Sequence, residues 1–413
     1  MPVTTEPVPS ESLDVVIVGA GLAGSSLALR LARLGTRVAI LDQACFPREK
    51  LCGEFLSPEA WRTLDCLRIS EAVRQSGYHP IHRIRLSTPW GHVLDAEFTG
   101  ADGLPGIGLS RSVLDSLLID HARAAGSQVI EGARVGAPLI REGRVVGVKA
   151  RHHTGEEFEV RATVTVAAAG RQSGLVARTG TIQARSWLRP RLFGMKRHFR
   201  TMDHSFEPPG TVGLHLFPGG YGGTCRVEAP LTNLCALLPE SRLRRYRGNL
   251  DRLADEQFGR NPFLSRLWNT SQPEGGWKTV AGVRIQVATP RYPGIFYLGD
   301  SQGTVDPLGG QGMTMALLGS EVLLPFLKTA LAEGVAGPSL QRAYARAWHH
   351  RFDRRIRLCR LFHHLLVRPR LIDLASTFPS FASKLLIGGF HRTRDSETEP
   401  GVEGPFPGAT DGY

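Results

Sequence analysis

A chain of 413 residues with 42% apolar content is long enough for two or three structural units around a sizeable core. Its 50 basic and 38 acidic residues leave a net charge of +12, which favours an anionic cofactor, substrate or membrane surface; no nucleic-acid module accompanies that charge, so nucleic acid is not expected as a partner. The cysteines at 45, 52, 66, 225, 235 and 359 show neither metal-ligand spacing nor a disulfide framework, so the expectation is a reduced, cytosolic protein without a metal.

Residues 1–12 contain no Lys or Arg and no apolar core and so do not resemble a signal peptide, 1–11 are expected to be a disordered tail, and no segment has the length and continuity of a membrane span. The stretch from Asp14 to Asp42 then reads as a complete strand–helix–strand unit. Val15 to Val18 is a short β-branched run, the pattern of a strand buried on both faces. Gly19, Gly21 and Gly24 supply G-x-G-x-x-G where the strand turns into a helix: a tight turn, a close approach for a pyrophosphate, and close helix–strand packing. Leu27, Leu31 and Leu34 continue an apolar stripe that Gly35 ends. Val38 to Leu41 is the second strand, and Asp42 stands at its end, where a carboxylate accepts the ribose hydroxyls of a dinucleotide.

The loop CFPREKLCGEFLSPEAW follows. Arg48 and Lys50 are placed to meet a diphosphate lying across the glycine loop. Cys52 and Gly53 offer a small polarizable side chain and bare backbone to a planar ligand, although Cys52 reads equally well as an inert thiol. Residues 81–98 alternate around Trp90–Gly91 as a hairpin. After Gly108, SRSVLDSLLIDHARAAG reads as a helix capped by Ser110, with Arg111 in its first turn. A cation there opposes the helix dipole and calls for a compensating anion or polar ligand. Val129 onward and Arg144 to Arg151 read as a small three-stranded meander, and Arg161 to Ala169 as a buried strand running into Gly170.

Residues 190–240 alternate as several strands that join 81–98 in a mostly antiparallel sheet. Residues 241–275 read as helical and basic, with Trp277 beginning a return path. Ile295 to Leu298 is again a buried strand, ending in Gly299–Asp300; the glycine-rich turn Asp306–Met313 then opens a helix of small and apolar residues. Residues 341–368 set aromatic residues among arginines. One reading is an interfacial helix on anionic lipid, and the preferred one a helix packed on the inserted sheet with its arginines solvated. The tail 394–413 is expected to be disordered.

These blocks, in this order, resemble the large flavoprotein family of aromatic hydroxylases (p-hydroxybenzoate hydroxylase-like), geranylgeranyl reductases and flavin-dependent halogenases, over roughly residues 12–330. The resemblance implies an α/β fold with a Rossmann-type, glutathione reductase-like FAD-binding domain. That domain would be discontinuous (12–80, 99–189 and 280–330), with an antiparallel substrate domain from 81–98 and 190–279 and a C-terminal helical region at 331–393. By resemblance Gly19, Gly21, Gly24 and Asp42 hold the adenosine diphosphate of FAD, and Arg48 and Arg111 touch the cofactor. Gly299 and Asp300 match the ribityl and phosphate motif, and Pro307, Gly309, Gly310, Gln311, Gly312 and Met313 the loop beside the isoalloxazine ring.

Ala169–Gly170 stands where hydroxylases often carry Asp-Gly, and the Trp-x-Trp-x-Ile-Pro motif of halogenases is absent. Cys52–Gly53–Glu54 looks more like the reductase branch, Gly310–Gln311–Gly312 more like the hydroxylase branch. The expected activity is therefore FAD-dependent oxidation–reduction. The favoured form is an NAD(P)H-dependent monooxygenase acting on a largely apolar aromatic, quinone or polyketide-like metabolite, and alkene reduction is the alternative. No residue stands out as the catalytic acid or base. Cys52 and Glu54 are candidate proton donors, and His198, His215, Phe217 and Tyr221 candidate pocket residues that read equally well as ordinary strand residues.

Overall fold

The computed structural model describes residues 11–100, 102–171, 173–184, 191–201, 207–228, 230–283, 285–366 and 388. A parallel sheet runs in the order Gln128–Ile130, Val38–Leu41, Leu13–Val18, Glu157–Ala167, Ile295–Tyr297. Val15, Val16 and Ile17 are fully buried in it, as their unbroken apolar run demands. Parallel pairing sends the C-terminal end of every strand to one edge, so Gly19, Asp42, Gly170 and Gly299 emerge side by side. The strand Glu157–Ala167 serves two partners. Its second half pairs with Leu13–Val18, while its first half runs antiparallel to Arg144–His152, which continues to Ala133–Arg141 as the three-stranded meander.

The helix Leu22–Arg33 starts directly after the first glycines. Gly24 is where it meets the strand: a Cβ there would lie 1.9 Å from the Gly19 carbonyl oxygen, so the packing leaves no room for a side chain. The helix Gly312–Ala332 packs across it, and Arg30 bridges the two through Glu321 at 2.7 Å. Continuity along the sequence predicts no membrane span. This helix, at 21 residues, is nonetheless long and apolar enough for one by composition. Leu317, Leu323 and Leu327 are fully buried in the core it shares with Leu27 and Leu31, which accounts for its apolarity.

The second sheet has seven strands in the order Ser271–Val283, Leu192–Thr201, Leu231–Pro239, Gly220–Arg226, Thr211–Phe217, Arg83–Ser87, Val93–Glu97. All neighbours are antiparallel except Thr211–Phe217 and Arg83–Ser87. Alternation divides its residues between two faces. Phe193, Met195, Phe217, Leu234, Ala236 and Leu238 pack under the helices Leu250–Phe258 and Pro262–Thr270. Leu86, Leu94, Leu216, Tyr221 and Leu237 turn the other way and meet Leu308 of the glycine-rich turn.

Two expectations are corrected here. Helix ends at Thr270, and Ser271–Val283, including Trp277, is the sheet's edge strand. Its pairing with Leu192–Thr201 covers an otherwise open edge, and Trp277 stacks on Trp268 with ring centroids 6.0 Å apart. The long helix Pro338–Leu366 lies against the glycine-rich turn and the helix Gly312–Ala332. It reaches the inserted sheet through Phe362 and His363. Of the expected tails and of 367–393, only Glu11 and Gly388 are among the described residues.

Candidate functional site

At the edge of the parallel sheet Asp42 ties two loops together, accepting the Ala20 N–H at 2.8 Å and the Ala44 N–H at 2.9 Å. Each oxygen keeps a further acceptor position. Around Gly21 three cations converge: a Cβ there would lie 3.5 Å from Arg48 Nη2, 3.6 Å from Arg111 Nη2 and 3.9 Å from Lys50 Nζ. The anion that Arg111 requires is supplied inside its own helix. Asp115, fully buried, accepts from Arg111 Nε and Nη2, each at 2.7 Å, and also faces Arg48 at 3.3 Å. Ser110 caps the helix by accepting the Val113 N–H.

Three cations thus face Asp42 and Asp115, with Asp300 also acting on Lys50. The buried Arg48 Nε has no hydrogen-bond partner among the described residues. Burial, and then the charges of Arg111 and Arg48, push the Lys50 ammonium below its ordinary value. Excess positive charge gathered over a bare glycine backbone at a helix N-terminus fits the diphosphate of a dinucleotide.

Along the same edge Asp300 meets Arg171, with Oδ2 3.2 Å from Nε. Arg171 follows Gly170 just beyond the strand Glu157–Ala167, and nothing local to it signals its partner 129 residues away. The turn beyond begins at Asp306, whose Oδ1 accepts the Leu308 N–H at 3.0 Å. It closes through Gly310 at φ +62° into the helix that starts at Gly312. Gln311 is fully buried; its Oε1 accepts from Arg355 at 3.0 Å, while its Nε2 has no partner among the described residues. Met313 is buried in the first turn of that helix.

The second sheet faces this edge with a mostly apolar wall and a polar corner. In the corner sits Glu54, whose carboxylate accepts from Lys196 Nζ at 2.5 Å, His198 Nε2 at 2.6 Å and the Arg111 backbone N–H at 2.8 Å. Burial alone would raise its carboxyl, but the His198 hydrogen bond and the Lys196 charge outweigh it and hold the group below its ordinary value. Glu54 is therefore a held anion, poorly suited to the proton-donor role considered for it. Glu49, Glu54 and His198 approach closely enough to hold a metal, yet Lys196 Nζ already lies between the two carboxylates. Cys52 accepts the Glu54 N–H at 3.4 Å, and its carbonyl accepts from Asn233 at 3.0 Å.

His215 and Phe217 point away from this wall, into the helix-covered face. Nδ1 of His215 lies 2.8 Å from Ser87 Oγ, and its Nε2 lies 2.9 Å from Thr224 and 3.0 Å from Glu207. The Ser–His–Glu order suggests a nucleophile, but Ser87 and His215 are wholly buried and Asn261 also engages the serine. It is a structural network that anchors the helix Pro262–Thr270. Tyr221 lies on the opposite face of the sheet, in the buried apolar cluster that meets Leu308 of the glycine-rich turn. Its buried hydroxyl has no partner among the described residues, and burial followed by the negative charge of Asp306 keeps its pKa well above 10.0.

A parallel sheet with a glycine fingerprint, a cationic cradle at its edge and a second sheet closing over it defines a dinucleotide-dependent flavoprotein. The model of the FAD binding domain family matches residues 12–357, and the chain belongs to that family. It is 27% identical to digeranylgeranylglycerophospholipid reductase 1 of Methanopyrus kandleri, over 82% of this chain and 86% of that one. It is 31% identical to menaquinone reductase of Mycobacterium tuberculosis, over 50% of this chain and 48% of that enzyme, so the match spans about half of it. A flavin-dependent brominase has the same fold, with a TM-score of 0.77 at 18% identity over 94% of this chain and 96% of that one.

Proposed function

We propose that this FAD-dependent oxidoreductase is a monooxygenase that takes electrons from NAD(P)H and hydroxylates a largely apolar aromatic, quinone or polyketide-like metabolite. The supporting observation is the apolar cluster between the second sheet and the glycine-rich turn: Leu86, Leu94, Leu216, Leu237 and Leu308 pack with Tyr221, a buried phenol without a hydrogen-bond partner among the described residues. A buried donor without a partner is costly, and a ring oxygen on an otherwise apolar substrate would satisfy it. Because its pKa is held well above 10.0, Tyr221 acts as a hydrogen-bond donor that orients the substrate and keeps its proton at neutral pH.

Arg48, Lys50 and Arg111 would hold the diphosphate of FAD over Gly19–Gly24, Asp42 the adenosine ribose, and Gly299–Asp300 the ribityl chain. The turn Pro307–Met313 would flank the ring, its N–H groups at the helix start favouring negative charge there. Bound FAD supplies electron transfer and oxygen activation. The apolar wall excludes water from that chemistry.

Alkene reduction is the second reading, favoured by reductases among the relatives. One experiment separates them. The FAD-loaded chain is reduced without oxygen and mixed with a long-chain alkylphenol in labelled oxygen gas. A product carrying labelled oxygen supports hydroxylation. Anaerobic reoxidation of the flavin by a prenylated quinone, with loss of a side-chain double bond, overturns it. Peripheral contact with anionic lipid is proposed for the arginine-rich outer face of the C-terminal helix, where Leu361 is 53% exposed. Full solubility beside phosphatidylglycerol vesicles at low salt would remove that part.

A further inference from the structure

The helix Pro338–Leu366 touches the glycine-rich turn with three side chains spaced four residues apart, and so on one face. Arg355, 3% exposed, donates to Gln311 Oε1 at 3.0 Å and is braced by the two oxygens of Glu59, each at 2.9 Å. One turn later Cys359 is fully buried against Gly309, where a Cβ would lie 2.4 Å from its Sγ, so a larger residue at 309 would have to displace the thiol. After a further turn, Nδ1 of His363 lies 3.0 Å from each oxygen of Asp306, with both residues buried. Asp306 in turn caps the short helix Pro307–Gly309. The rings of Tyr221 and His363 meet edge to face, with centroids 6.5 Å apart.

We propose that this helix is a wall of the active site and that His363 is a positioning residue, which pairs with Asp306 and so sets both the shape and the charge of the turn. The inference rests on the reading that the flavin ring lies against Pro307–Met313. A reduced flavin carries additional negative charge. A buried carboxylate beside it would oppose that charge strongly, because little solvent screens the two. An imidazole N–H held between both carboxylate oxygens offsets the field of Asp306 and keeps its side chain aimed at the Leu308 amide. Arg355 fixes the other end of the turn in the same way, through Gln311.

The test uses the full-length holoprotein and reads the flavin midpoint potential by equilibration with a reference dye. His363→Leu is expected to weaken reduced FAD at least tenfold relative to oxidised FAD, which for two electrons is a potential lower by about 30 mV. Adding Asp306→Asn should bring the potential back to within threefold of that ratio in the starting protein, since the uncompensated charge leaves with its partner. Ser339→Ala, at the exposed start of the same helix, should leave the potential unchanged. An unchanged potential in His363→Leu with FAD fully retained overturns the inference, as does a shift that Asp306→Asn does not relieve. Failure of the unaltered chain to bind FAD would instead remove the cofactor reading and this inference with it. Should His363→Leu fail to fold, hydrogen exchange on the unaltered chain decides. Adding FAD must slow exchange across 352–366 together with 306–312, and slowing confined to 306–312 overturns the proposal.

Discussion

Glu54 joins the cofactor half to the inserted sheet, and replacing it sets two physical effects against each other. Its side chain is wholly buried and collects donors from the helix start at Arg111 and from Lys196 and His198 on the facing strand. Its backbone has φ +56°, a left-handed conformation that costs a non-glycine residue roughly 1–2 kcal/mol. Glu54→Ala leaves buried donors without their acceptor, a change that typically costs about 3–5 kcal/mol. Lys196 retains Glu49 at 2.8 Å, so the low end, about 3 kcal/mol, is expected. Glu54→Gly loses the same contacts but relieves the backbone, so it should be milder by about 1 kcal/mol.

That order reverses the usual one, in which glycine is the more destabilising of the two. Urea unfolding followed by tryptophan fluorescence would measure it, with FAD saturating for every variant because bound ligand itself stabilises. Glycine worse than alanine, or both variants within about 0.5 kcal/mol of the starting protein, would refute the reasoning. The pH dependence has a definite sign. Because the folded carboxyl lies below its ordinary value of 4.5, its contribution is complete above that pH and is lost as pH falls toward the folded pKa. Glu54→Gln should flatten that acid limb.

Three further outcomes are expected. Gly24→Ala puts a methyl 1.9 Å from the Gly19 oxygen and should cost at least about 1–3 kcal/mol, with flavin absorbance per chain falling alongside Tm. Lys50 has a depressed pKa that a bound diphosphate would raise, so FAD affinity should be greatest below the free-state pKa and fall as pH rises through it. Lys50→Met should abolish that dependence and weaken binding by about 1.5–3 kcal/mol in a titration followed by flavin fluorescence. Tyr221→Phe should leave FAD content unchanged while weakening an alkylphenol by about 1 kcal/mol, read from its perturbation of the flavin spectrum. An unaltered alkylphenol affinity would remove Tyr221 from substrate recognition.

The sequence by itself determined the parallel sheet and what stands at its edge. The run Val15–Val18, the spacing of Gly19, Gly21 and Gly24, and the turn Asp306–Met313 are local patterns whose geometry follows from backbone chemistry within a few residues. The Arg111–Asp115 pair was also within reach, since the two lie four apart on a helix and only the partner's identity was left unread. Alternation likewise separates Leu216 from His215 and Phe217, but says nothing of which face meets the cofactor edge. The covering helices Leu250–Phe258 and Pro262–Thr270 decide that, and they leave Tyr221 on the side that meets the glycine-rich turn. Glu54 finds Lys196 and His198 across 142 and 144 residues, and Asp306 finds His363 across 57. Such pairs depend on how a loop, a sheet and a terminal helix register against one another in space. Side-chain type announces a charge in need of a partner, but only the packing of distant elements selects which partner it meets.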